Sequence, residues 1–451
     1  MTTDTIVVPA TPYGIGGIAV VRLSGPQVSR IAHKLFNNKE LKAFLKPRYA
    51  SLLNLYDENG IEIDEAIVTF FEAPNSYTGQ DSIEISCHGS PVVVDKIILT
   101  CCQFGARIAE PGEFTKIAFI NGKMDLVQAE AVASLIHSQS YESSRLSLRL
   151  LHGELSKKLN TFRQSLIDAI SMIEFELDIS EEELQPELNK RVLVFVNVLV
   201  KQIKALLESH KQARLLNRGA LVVIAGPPNV GKSTLLNVLS ESDRAITSPL
   251  PGTTRDAIQV PLILCGVPIN LVDTAGIRQA TEEIERAGVS RTFDYLKKAD
   301  LIILVGDNGS QKSSLDDYPT NVPIVEIINK ADLLTKTELE SFQRSHSEWL
   351  FLSAKTRLNI RLLKQQIKSS LEISGSLSGG VSITTNRQQR SLKICYNKLN
   401  ATIELLNNPR CAYEIISIEL RDALVALDTI LGKTTPDDIL NNIFNQFCVG
   451  K

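Results

Sequence analysis

Long hydrophobic runs are absent from this sequence. The longest apolar stretch, residues 192–200, is interrupted by Asn197 and followed by Lys201, whereas a membrane-spanning helix needs about 20 apolar residues. No basic segment followed by an apolar one comes after Met1, which argues against a secretory signal. The sequence therefore predicts a cytoplasmic protein without a membrane segment.

An excess of positive charge is also absent. The 48 Lys and Arg residues are outnumbered by 51 Asp and Glu residues, which gives a net charge of −3. Proteins that bind nucleic acid on their own usually carry a basic surface. An RNA partner of this chain would therefore need a local basic patch, or a second protein to hold it.

Cysteine pairs with the spacing of a zinc site or a CxxC redox motif are missing as well. Because the number of cysteines is odd, reduced thiols in a cytosolic protein are the simplest interpretation. The seven are Cys87, Cys101, Cys102, Cys265, Cys395, Cys411 and Cys448. Cys448 stands apart, because core packing is rare so close to a chain end.

Apolar residues, by contrast, are plentiful enough to build folded cores. They make up 43% of the 451 residues, and this length predicts roughly three domains. Residues 1–118 contain short β-like runs broken by Gly and Pro, which is typical of an α+β domain. From Asp125 the pattern is helical, since Leu126, Ala129 and Val132 recur at the spacing of one helix face.

The pattern changes again at Gly219. Short apolar runs alternate with helical stretches from there, which is typical of a mostly parallel sheet with crossover helices. The runs are 220–225, 269–272, 301–305, 324–328 and 350–352. A Gly- and Ser-rich linker at 374–380 then leads into predicted helices at 387–406 and 412–431.

The predicted domain boundaries follow from these changes. An α+β domain covers residues 1–118, and an α/β domain covers 216–375. Helical segments cover 119–215 and 376–451. The two helical segments can pack as one discontinuous domain with the α/β domain inserted, although the sequence does not require this arrangement.

A phosphate-binding loop follows the first strand of the α/β domain. Residues 226–233 match GxxxxGK[ST], and a helix is predicted directly after them. Backbone N–H groups of such a loop surround phosphates, and the helix N-terminus favours negative charge. We expect Lys232 to reach the terminal phosphates and Ser233 to ligate magnesium. The nucleotide-binding residues predicted here are Asn229, Val230, Gly231, Lys232, Ser233 and Thr234.

Three further motifs in order identify the nucleotide as GTP. After the second strand come Asp273, Thr274, Ala275 and Gly276, of which Asp273 is placed near the magnesium shell. Next come Asn329, Lys330, Ala331 and Asp332, and then Ser353, Ala354 and Lys355. A carboxylate at Asp332 can accept two hydrogen bonds from guanine, and adenine would leave it unpaired at a cost of about 1–3 kcal/mol.

The segment between the first two motifs predicts a switch. Its nucleotide-binding residues are Ser248, Pro249, Leu250, Pro251, Gly252, Thr253 and Thr254. Thr254 can complete the magnesium coordination when the γ-phosphate is present. Ras-like GTPases orient the attacking water with a glutamine after the second motif, but Ile277 stands there. The chain must therefore orient the water with another group, or hydrolyse GTP slowly until something assists it.

Residues from one end of the chain to the other resemble the MnmE (TrmE) family of tRNA-modification GTPases. The shared segments, besides the GTP motifs, are residues 10–12 with 14–17, 74–79, 111–115, 125–131 and 448–451. The resemblance implies an N-terminal folate-binding and dimerisation domain, a split helical domain and an inserted Ras-like GTPase domain.

The resemblance also implies the reaction. Family members form homodimers and act with MnmG, a partner that carries FAD. Together they add an aminomethyl or carboxymethylaminomethyl group to the wobble uridine of certain tRNAs, with a methylene-tetrahydrofolate one-carbon donor. In this family K⁺ replaces an arginine finger beside the phosphates, as a source of transition-state charge stabilisation.

Site residues carry over from the family position by position. Potassium would be held by Asn229, Ser248, Leu250 and Thr253, although Pro249 and Pro251 depart from the family pattern. Glu285 corresponds to the glutamate that orients the attacking water. Folate would be bound by Arg22, Glu84, Lys123 and Lys451. Cys448 is a possible member of that site, and its alternative is a tail residue needed only for docking.

The alternative hypothesis is a ribosome-assembly GTPase, which would act as a binding switch and take no part in modifying a nucleobase. The GTP motifs fit both readings. A KH domain would carry GxxG within a basic helix–loop–helix, whereas residues 14–17 lie in an uncharged loop. A third reading, a folate enzyme acting alone, would leave the GTP motifs without purpose.

Overall fold

The computed structural model describes most of the chain. The described residues are 4–37, 45–179, 186–243, 259–273, 294–307, 318–320, 322–345, 348–371, 381–408, 412–434, 437–445, 447 and 450. They divide into two compact units. The first is formed by Met1–Ala133, Leu150–Val192 and Ala401–Lys451, and the second by Ser134–Arg149 and Leu193–Asn400.

A mixed six-stranded sheet organises the N-terminal part of the first unit. Its strands are β1 (Ile6–Pro9), β2 (Ile18–Ser24), β3 (Ala50–Tyr56), β4 (Glu62–Phe71), β5 (Ser82–His88) and β6 (Arg107–Ile108). Their order is β3-β4-β5-β2-β1-β6. All pairs are antiparallel except β1 with β6.

Alternation along the strands sets the two faces of this sheet. On β2, Val21 and Leu23 are buried while Val20 and Arg22 are only partly covered, because successive side chains point to opposite faces. Helix α1 (Val28–Leu35) supplies Ile31 to the core on the buried face, and helix α2 (Pro91–Gln103) supplies Ile97. Arg22 therefore lies on the other face of the sheet.

Helices follow this sheet along the chain, as the sequence predicted. They are α3 (Glu113–Ile120), α4 (Leu126–Ile136), α5 (Tyr141–Leu151), α6 (Glu154–Ile179) and α7 (Pro186–Arg218). The predicted face of α4 is confirmed: Leu126, Ala129 and Val132 are buried together with Phe444 and Phe447. Their 3.6-residue periodicity places them on one stripe.

A second six-stranded sheet organises the second unit. Its strands are β7 (Ala220–Ala225), β8 (Gln259–Leu264), β9 (Val267–Asp273), β10 (Leu301–Gly306), β11 (Ile324–Ile328) and β12 (Leu350–Phe351). The order is β12-β11-β10-β7-β9-β8, and only β8 is antiparallel. Every side chain of β10 is buried, as expected for a central parallel strand.

The helices of this sheet complete the predicted α/β pattern. They are α8 (Lys232–Asp243), α9 (Lys336–Ser345) and α10 (Ile360–Ser370). Parallel strands bring their carboxyl ends to the same edge, where ligands of such sheets bind. The carboxyl ends of β7, β9 and β11 therefore lie at one edge of the sheet, where Gly226, Asp273 and Asn329 of the predicted GTP motifs stand.

The last helices match the prediction closely. They are α11 (Asn386–Leu406), α12 (Tyr413–Leu431) and α13 (Asp437–Phe444). Within the first unit α12 packs against α6, where Arg163 donates to Asp428 at 2.7 Å and Arg421 pairs with Glu174. No helix in the described residues has the length and apolar character needed to cross a membrane.

Candidate functional site

Two glycines allow the phosphate loop to pass close to neighbouring strands. Gly226 has a φ of +141°, and a Cβ there would lie 2.1 Å from the carbonyl oxygen of Val305. Gly231 has a φ of +95°, and a Cβ would lie 2.4 Å from the Nδ2 of Asn329. Any larger residue at either position would push the loop away from the sheet.

Lys232 points back across the phosphate loop. Its side chain is buried, and its Nζ lies 2.9 Å from the carbonyl oxygen of Gly226 and 2.5 Å from that of Pro227. A buried ammonium held by backbone oxygens is pre-positioned to attract phosphate oxygens. The loop thus supplies its charge without a large rearrangement of the backbone.

Ser233 and Asp273 meet, although 40 positions separate them in sequence. The Ser233 hydroxyl donates to the Asp273 carboxylate at 2.8 Å, and Asp273 is 7% exposed. Oxygen donors of this kind suit Mg²⁺, which binds through one or two protein groups plus phosphates. These two residues therefore fit a magnesium ion next to the nucleotide. Thr254, the other predicted magnesium ligand, lies outside the described residues.

Asn329 fastens the base-recognition loop to the phosphate loop. It is 3% exposed, its Nδ2 donates to the Val230 carbonyl at 2.9 Å, and its Oδ1 accepts from the Ala354 N–H at 2.9 Å. Three predicted nucleotide segments are therefore joined through one buried amide. Unpairing such a group costs about 1–3 kcal/mol.

Lys330 adds a second fastening, and its partner was missed by the sequence analysis. The Lys330 Nζ donates to the Asn229 carbonyl at 2.8 Å and to the Asp307 carboxylate at 2.9 Å. Asp307 directly follows β10, which is paired in register with β11. The sequence carries only a weak signal for it: a carboxylate at a strand end of such a sheet can face the site, but carboxylates in that position are common.

The remaining residues that were predicted to recognise the base are Asp332, Ser353 and Lys355. Asp332 lies on a short 3₁₀ turn, Ala331–Leu333, and is exposed. Ser353 is buried, and its hydroxyl accepts from the Thr356 N–H at 3.1 Å. Lys355 is exposed beside it. An exposed carboxylate beside a fixed backbone loop is available to accept hydrogen bonds from a base.

Several predicted residues fall outside the described part of the chain. They are Ser248, Pro249, Leu250, Pro251, Gly252, Thr253, Thr254, Thr274, Ala275, Gly276 and Glu285, together with Cys448 and Lys451 of the N-terminal site. Their predicted roles remain predictions.

A second candidate site lies on the N-terminal sheet. Arg22 on β2 and Glu84 on β5 are cross-strand neighbours, and two guanidinium nitrogens donate to Glu84 Oε1 at 3.0 and 2.6 Å. The Arg22 side chain is 16% exposed and the Glu84 side chain 34%. The predicted pair is therefore together, with both charges partly open to the surface.

Aromatic side chains cover the guanidinium of Arg22. Its Cζ lies 5.8 Å from the ring centre of Tyr77 and 5.7 Å from that of Phe114. The Tyr77 hydroxyl lies 2.9 Å from the Thr115 hydroxyl, and burial raises the pKa of Tyr77 above its ordinary value. When aromatic rings lie over a guanidinium, the edge of the guanidinium plane is the part that stays exposed. The residues of this cover were not predicted as site residues.

Two other segments approach the same place. Lys123 donates to the Pro74 carbonyl at 2.8 Å, so it joins the loop that carries Tyr77. The carbonyl of Gly450 accepts from Arg22 Nη1 at 3.4 Å. Gly450 has a φ of +104°, and a Cβ there would lie 2.8 Å from the Pro9 carbonyl oxygen. Gly450 is therefore seated against Arg22, one of the predicted folate residues.

Comparison with known proteins covers the whole chain. Residues 5–123 match the family model described as GTP-binding protein TrmE N-terminus, and residues 126–448 match the MnmE helical domain. A tRNA modification GTPase MnmE from Aquifex aeolicus is 38% identical over 99% of this chain and 100% of its own length. One from Pseudothermotoga lettingae is also 38% identical, over 99% and 100%.

Solved structures are similar over smaller parts. A structure of Era from Aquifex aeolicus covers 40% of this chain and 66% of its own, at 24% identity and a TM-score of 0.27. The FeoB G-domain from Methanococcus jannaschii covers 34% of this chain and 98% of its own, at 21% identity and a TM-score of 0.25. Scores this low add nothing to the argument from the sheet and the motifs.

Proposed function

Because the chain belongs to the MnmE family of tRNA modification GTPases, we propose that it hydrolyses GTP to drive modification of the wobble uridine. With the FAD-dependent partner MnmG, it adds an aminomethyl or carboxymethylaminomethyl group from a methylene-tetrahydrofolate carbon. The observation that carries this proposal is the presence, in one chain, of a GTP site and the Arg22–Glu84 site. A ribosome-assembly switch would have no use for the second site.

The GTP site supports hydrolysis through charge placement. Lys232 brings a buried cation to the terminal phosphates, and Ser233 with Asp273 would hold Mg²⁺. The ion would neutralise charge that develops on the phosphate oxygens. Asn329 keeps the loops in register, so the γ-phosphate is held still. Positioning of this kind is most of what phosphoryl transfer requires.

Potassium is the proposed replacement for an arginine finger. Asn229 has a φ of +64° and its carbonyl is held by Lys330, which fixes its backbone conformation. We expect GTP hydrolysis to be much faster in K⁺ than in Na⁺ at equal ionic strength, measured as phosphate release. Equal rates in the two salts would contradict the proposed potassium site. The residues proposed for that site are Asn229, Ser248, Leu250 and Thr253.

Glu285 is the proposed group that orients the attacking water. Changing Glu285→Ala should abolish turnover and leave GTP affinity nearly unchanged, because water orientation contributes to the transition state alone. Affinity would be measured with a fluorescent GTP analogue and turnover by phosphate release. A parallel loss of affinity would assign the residue a structural role instead.

The N-terminal site is proposed to bind a reduced folate. Because Arg22 and Glu84 are in direct contact at 2.6 Å, they would bind the same part of the folate, and Glu84 suits the donor edge of the pterin. The cations of Lys123 and Lys451 suit the carboxylates of the glutamate tail. The rings of Tyr77 and Phe114 cover the Arg22 guanidinium, so a ligand would reach its charge from one edge. Cys448 stays a possible member of this site.

Exposed apolar residues on the N-terminal sheet support the proposed homodimer. Leu52 and Ile67 are paired across β3 and β4, are 62% and 47% exposed, and lie on the face of the sheet that carries Arg22. Ile18 on β2 is 69% exposed. Apolar patches of this kind are typical of interaction surfaces. Light scattering on the purified chain would test the dimer.

The decisive experiment is mass spectrometry of wobble nucleosides in tRNA from cells that lack this protein. We expect aminomethyl-type uridines to disappear, and to return with the intact gene but not with a chain truncated before Lys451. Unchanged uridines, in cells without a second copy of the enzyme, would instead favour the ribosome-assembly GTPase. The proposed place of action is the cytoplasm, where tRNA is modified.

A further inference from the structure

Helix α3 makes contacts on two different faces. Phe114 and Ala118 are buried and four positions apart, which places them on one face of the helix. Gly112 at the N-cap, Lys116 and Phe119 follow the spacing i, i+4, i+7 and share another face. The first face meets the N-terminal candidate site, and the second meets the C-terminal helix α13.

The first face of α3 supports the aromatic cover of Arg22. Phe114 is fully buried, packs with Val8 of β1, and its ring centre lies 5.7 Å from the Arg22 Cζ. Thr115 is also fully buried, and its hydroxyl lies 2.9 Å from that of Tyr77, the other ring of the cover. A shift of α3 would therefore disturb both rings.

The second face of α3 begins at Gly112, where the backbone of α13 approaches closely. Gly112 has a φ of +71°, and a Cβ there would lie 2.4 Å from the Phe444 carbonyl oxygen and 3.0 Å from the Phe447 Cβ. Glycine is therefore needed at this position both for the backbone conformation and for room.

Two side chains of the same face complete the contact with α13. The Lys116 Nζ donates to the Asn441 Oδ1 at 2.7 Å, a charge-assisted hydrogen bond. The ring centres of Phe119 and Phe444 are 6.3 Å apart, within the range of aromatic pairs. We call Gly112, Lys116 and Phe119 the docking residues, because together they hold α13 against α3.

A cavity lies beside the docking residues. Its volume is about 380 Å³, and both helices line it, with Ile117 and Ile120 from α3 and Asn441 and Asn445 from the C-terminal segment. Atoms that face such a space lack packing partners on that side. The position of α13 on α3 therefore depends on the docking residues, although α13 also packs on α4 through its apolar side.

The position of α13 in turn limits where the C-terminal segment can lie. Gly450 follows Phe447 by three positions, and three residues span at most about 11 Å. The Gly450 carbonyl accepts from Arg22 Nη1 at 3.4 Å. The docking residues are therefore linked to Arg22 by two routes, through Phe114 on α3 and through Gly450 behind α13.

We propose that Gly112, Lys116 and Phe119 are positioning residues for the Arg22–Glu84 site. By holding α13 they set both the aromatic cover of Arg22 and the reach of the C-terminal segment. They act through these neighbours and not on the ligand. The inference rests on the proposed folate function of this site. The competing explanation is that the three residues only stabilise α13 locally.

The test uses variants at Asn441, which accepts the Lys116 hydrogen bond. Asn441→Ala removes the acceptor, and Asn441→Asp keeps an acceptor oxygen. Asn160→Ala is the matched control, because Asn160 Oδ1 accepts from Lys433 Nζ at 3.4 Å in another exposed Lys–Asn pair of the first unit. On the full-length chain, hydrogen exchange would be followed in residues 74–81 and 437–451, and binding of a reduced folate by titration calorimetry.

Asn441→Ala should speed exchange in both segments and weaken folate binding about two- to fivefold, the range of a partly exposed polar contact. Asn441→Asp and Asn160→Ala should behave as wild type, and all variants should keep wild-type GTP hydrolysis. Gly112→Ala should weaken folate binding at least about tenfold, because it adds backbone strain and a clash. If Gly112→Ala does not fold, the Asn441 variants decide alone.

Faster exchange in 437–451 with unchanged exchange in 74–81 and unchanged folate affinity would overturn the proposal, since the docking residues would then act only locally. Equal losses in Asn441→Ala and Asn441→Asp would also overturn it. A wild-type chain without affinity for reduced folate would reject the proposed folate function. Exchange in 74–81 would still decide the positioning role, because that readout needs no ligand.

Discussion

The two candidate sites of this protein are built in opposite ways. The GTP site consists of short contiguous motifs, each placed directly after a parallel strand, and its side chains mainly hold backbone groups, as Lys232 and Asn329 do. The N-terminal site is made of single residues, and Arg22 alone joins β2, β5 and the C-terminal segment. The residues of the GTP site lie close together within each motif, whereas the residues of the N-terminal site are far apart in sequence and come together only in the fold.

This difference determines how each site responds to change. A phosphate loop that binds through backbone groups tolerates substitutions around its motif. It does not tolerate the loss of Gly226, Gly231 or the buried Lys232. A site of converging side chains loses function when one of several distant segments moves. The predictions that follow separate the two sites, because each change should affect one of them and spare the other.

The largest effect is expected for Lys232→Ala. Removing one preorganised charge that faces the transition state lowers kcat by about 10²–10³, so GTP hydrolysis should nearly vanish. Binding of a reduced folate should be unchanged. Phosphate release and folate titration calorimetry on the same preparation would measure both, and a joint loss would mean that the two sites are not independent.

Arg22→Ala should act in the reverse direction. The variant loses a charge-assisted contact worth about 1.5–3 kcal/mol, so affinity for a reduced folate should fall about 10- to 100-fold. The GTPase rate should match wild type. Arg30→Ala, at an exposed residue of α1 on the opposite face of the same sheet, is a control that should bind folate normally. Unchanged folate affinity in Arg22→Ala would reject the site.

Gly450→Ala should disturb the N-terminal site from the other end of the chain. An alanine at a φ of +104° is strained, and its methyl would lie 2.8 Å from the Pro9 carbonyl oxygen. Such strain costs about 1–3 kcal/mol. The expected result is faster hydrogen exchange of the C-terminal peptide and several-fold weaker folate binding.

Gly60→Ala is the matched control for this change. Gly60 also has a positive φ, +76°, but an added methyl would meet no atom within 4 Å. It should leave the exchange of the C-terminal peptide as in wild type. Identical exchange in the two variants would show that Gly450 does not anchor the segment to Arg22.

The smallest effect is expected for Asp307→Asn. The carboxylate and its partner Lys330 are 24% and 36% exposed, and partly exposed pairs contribute about 0.2–1 kcal/mol. GTP affinity should fall by about two- to fivefold. In a double-mutant cycle with Lys330→Met, the two losses should not add. Full additivity would show that the carboxylate acts independently of the lysine.

The GTP site was largely predictable, and the N-terminal site was not. The order of the motifs, the strands before them and the helix face of Leu126 and Ala129 all follow from contiguous or periodic patterns. Arg22 and Glu84 entered the prediction only through the family resemblance. Asp307 was missed because a lone carboxylate after a strand is common, and only its 2.9 Å contact with Lys330 distinguishes it.

The sequence by itself indicated the parallel strands of the α/β domain and the helices of residues 387–431, that a phosphate loop lies between a strand and a helix, and that the nucleotide is GTP. These features depend on neighbours within a few residues, where backbone preference and side-chain periodicity act directly. The tertiary structure alone decided that Arg22, Tyr77, Glu84 and Gly450 converge. Such meetings depend on strand register and helix packing, which bring together residues hundreds of positions apart.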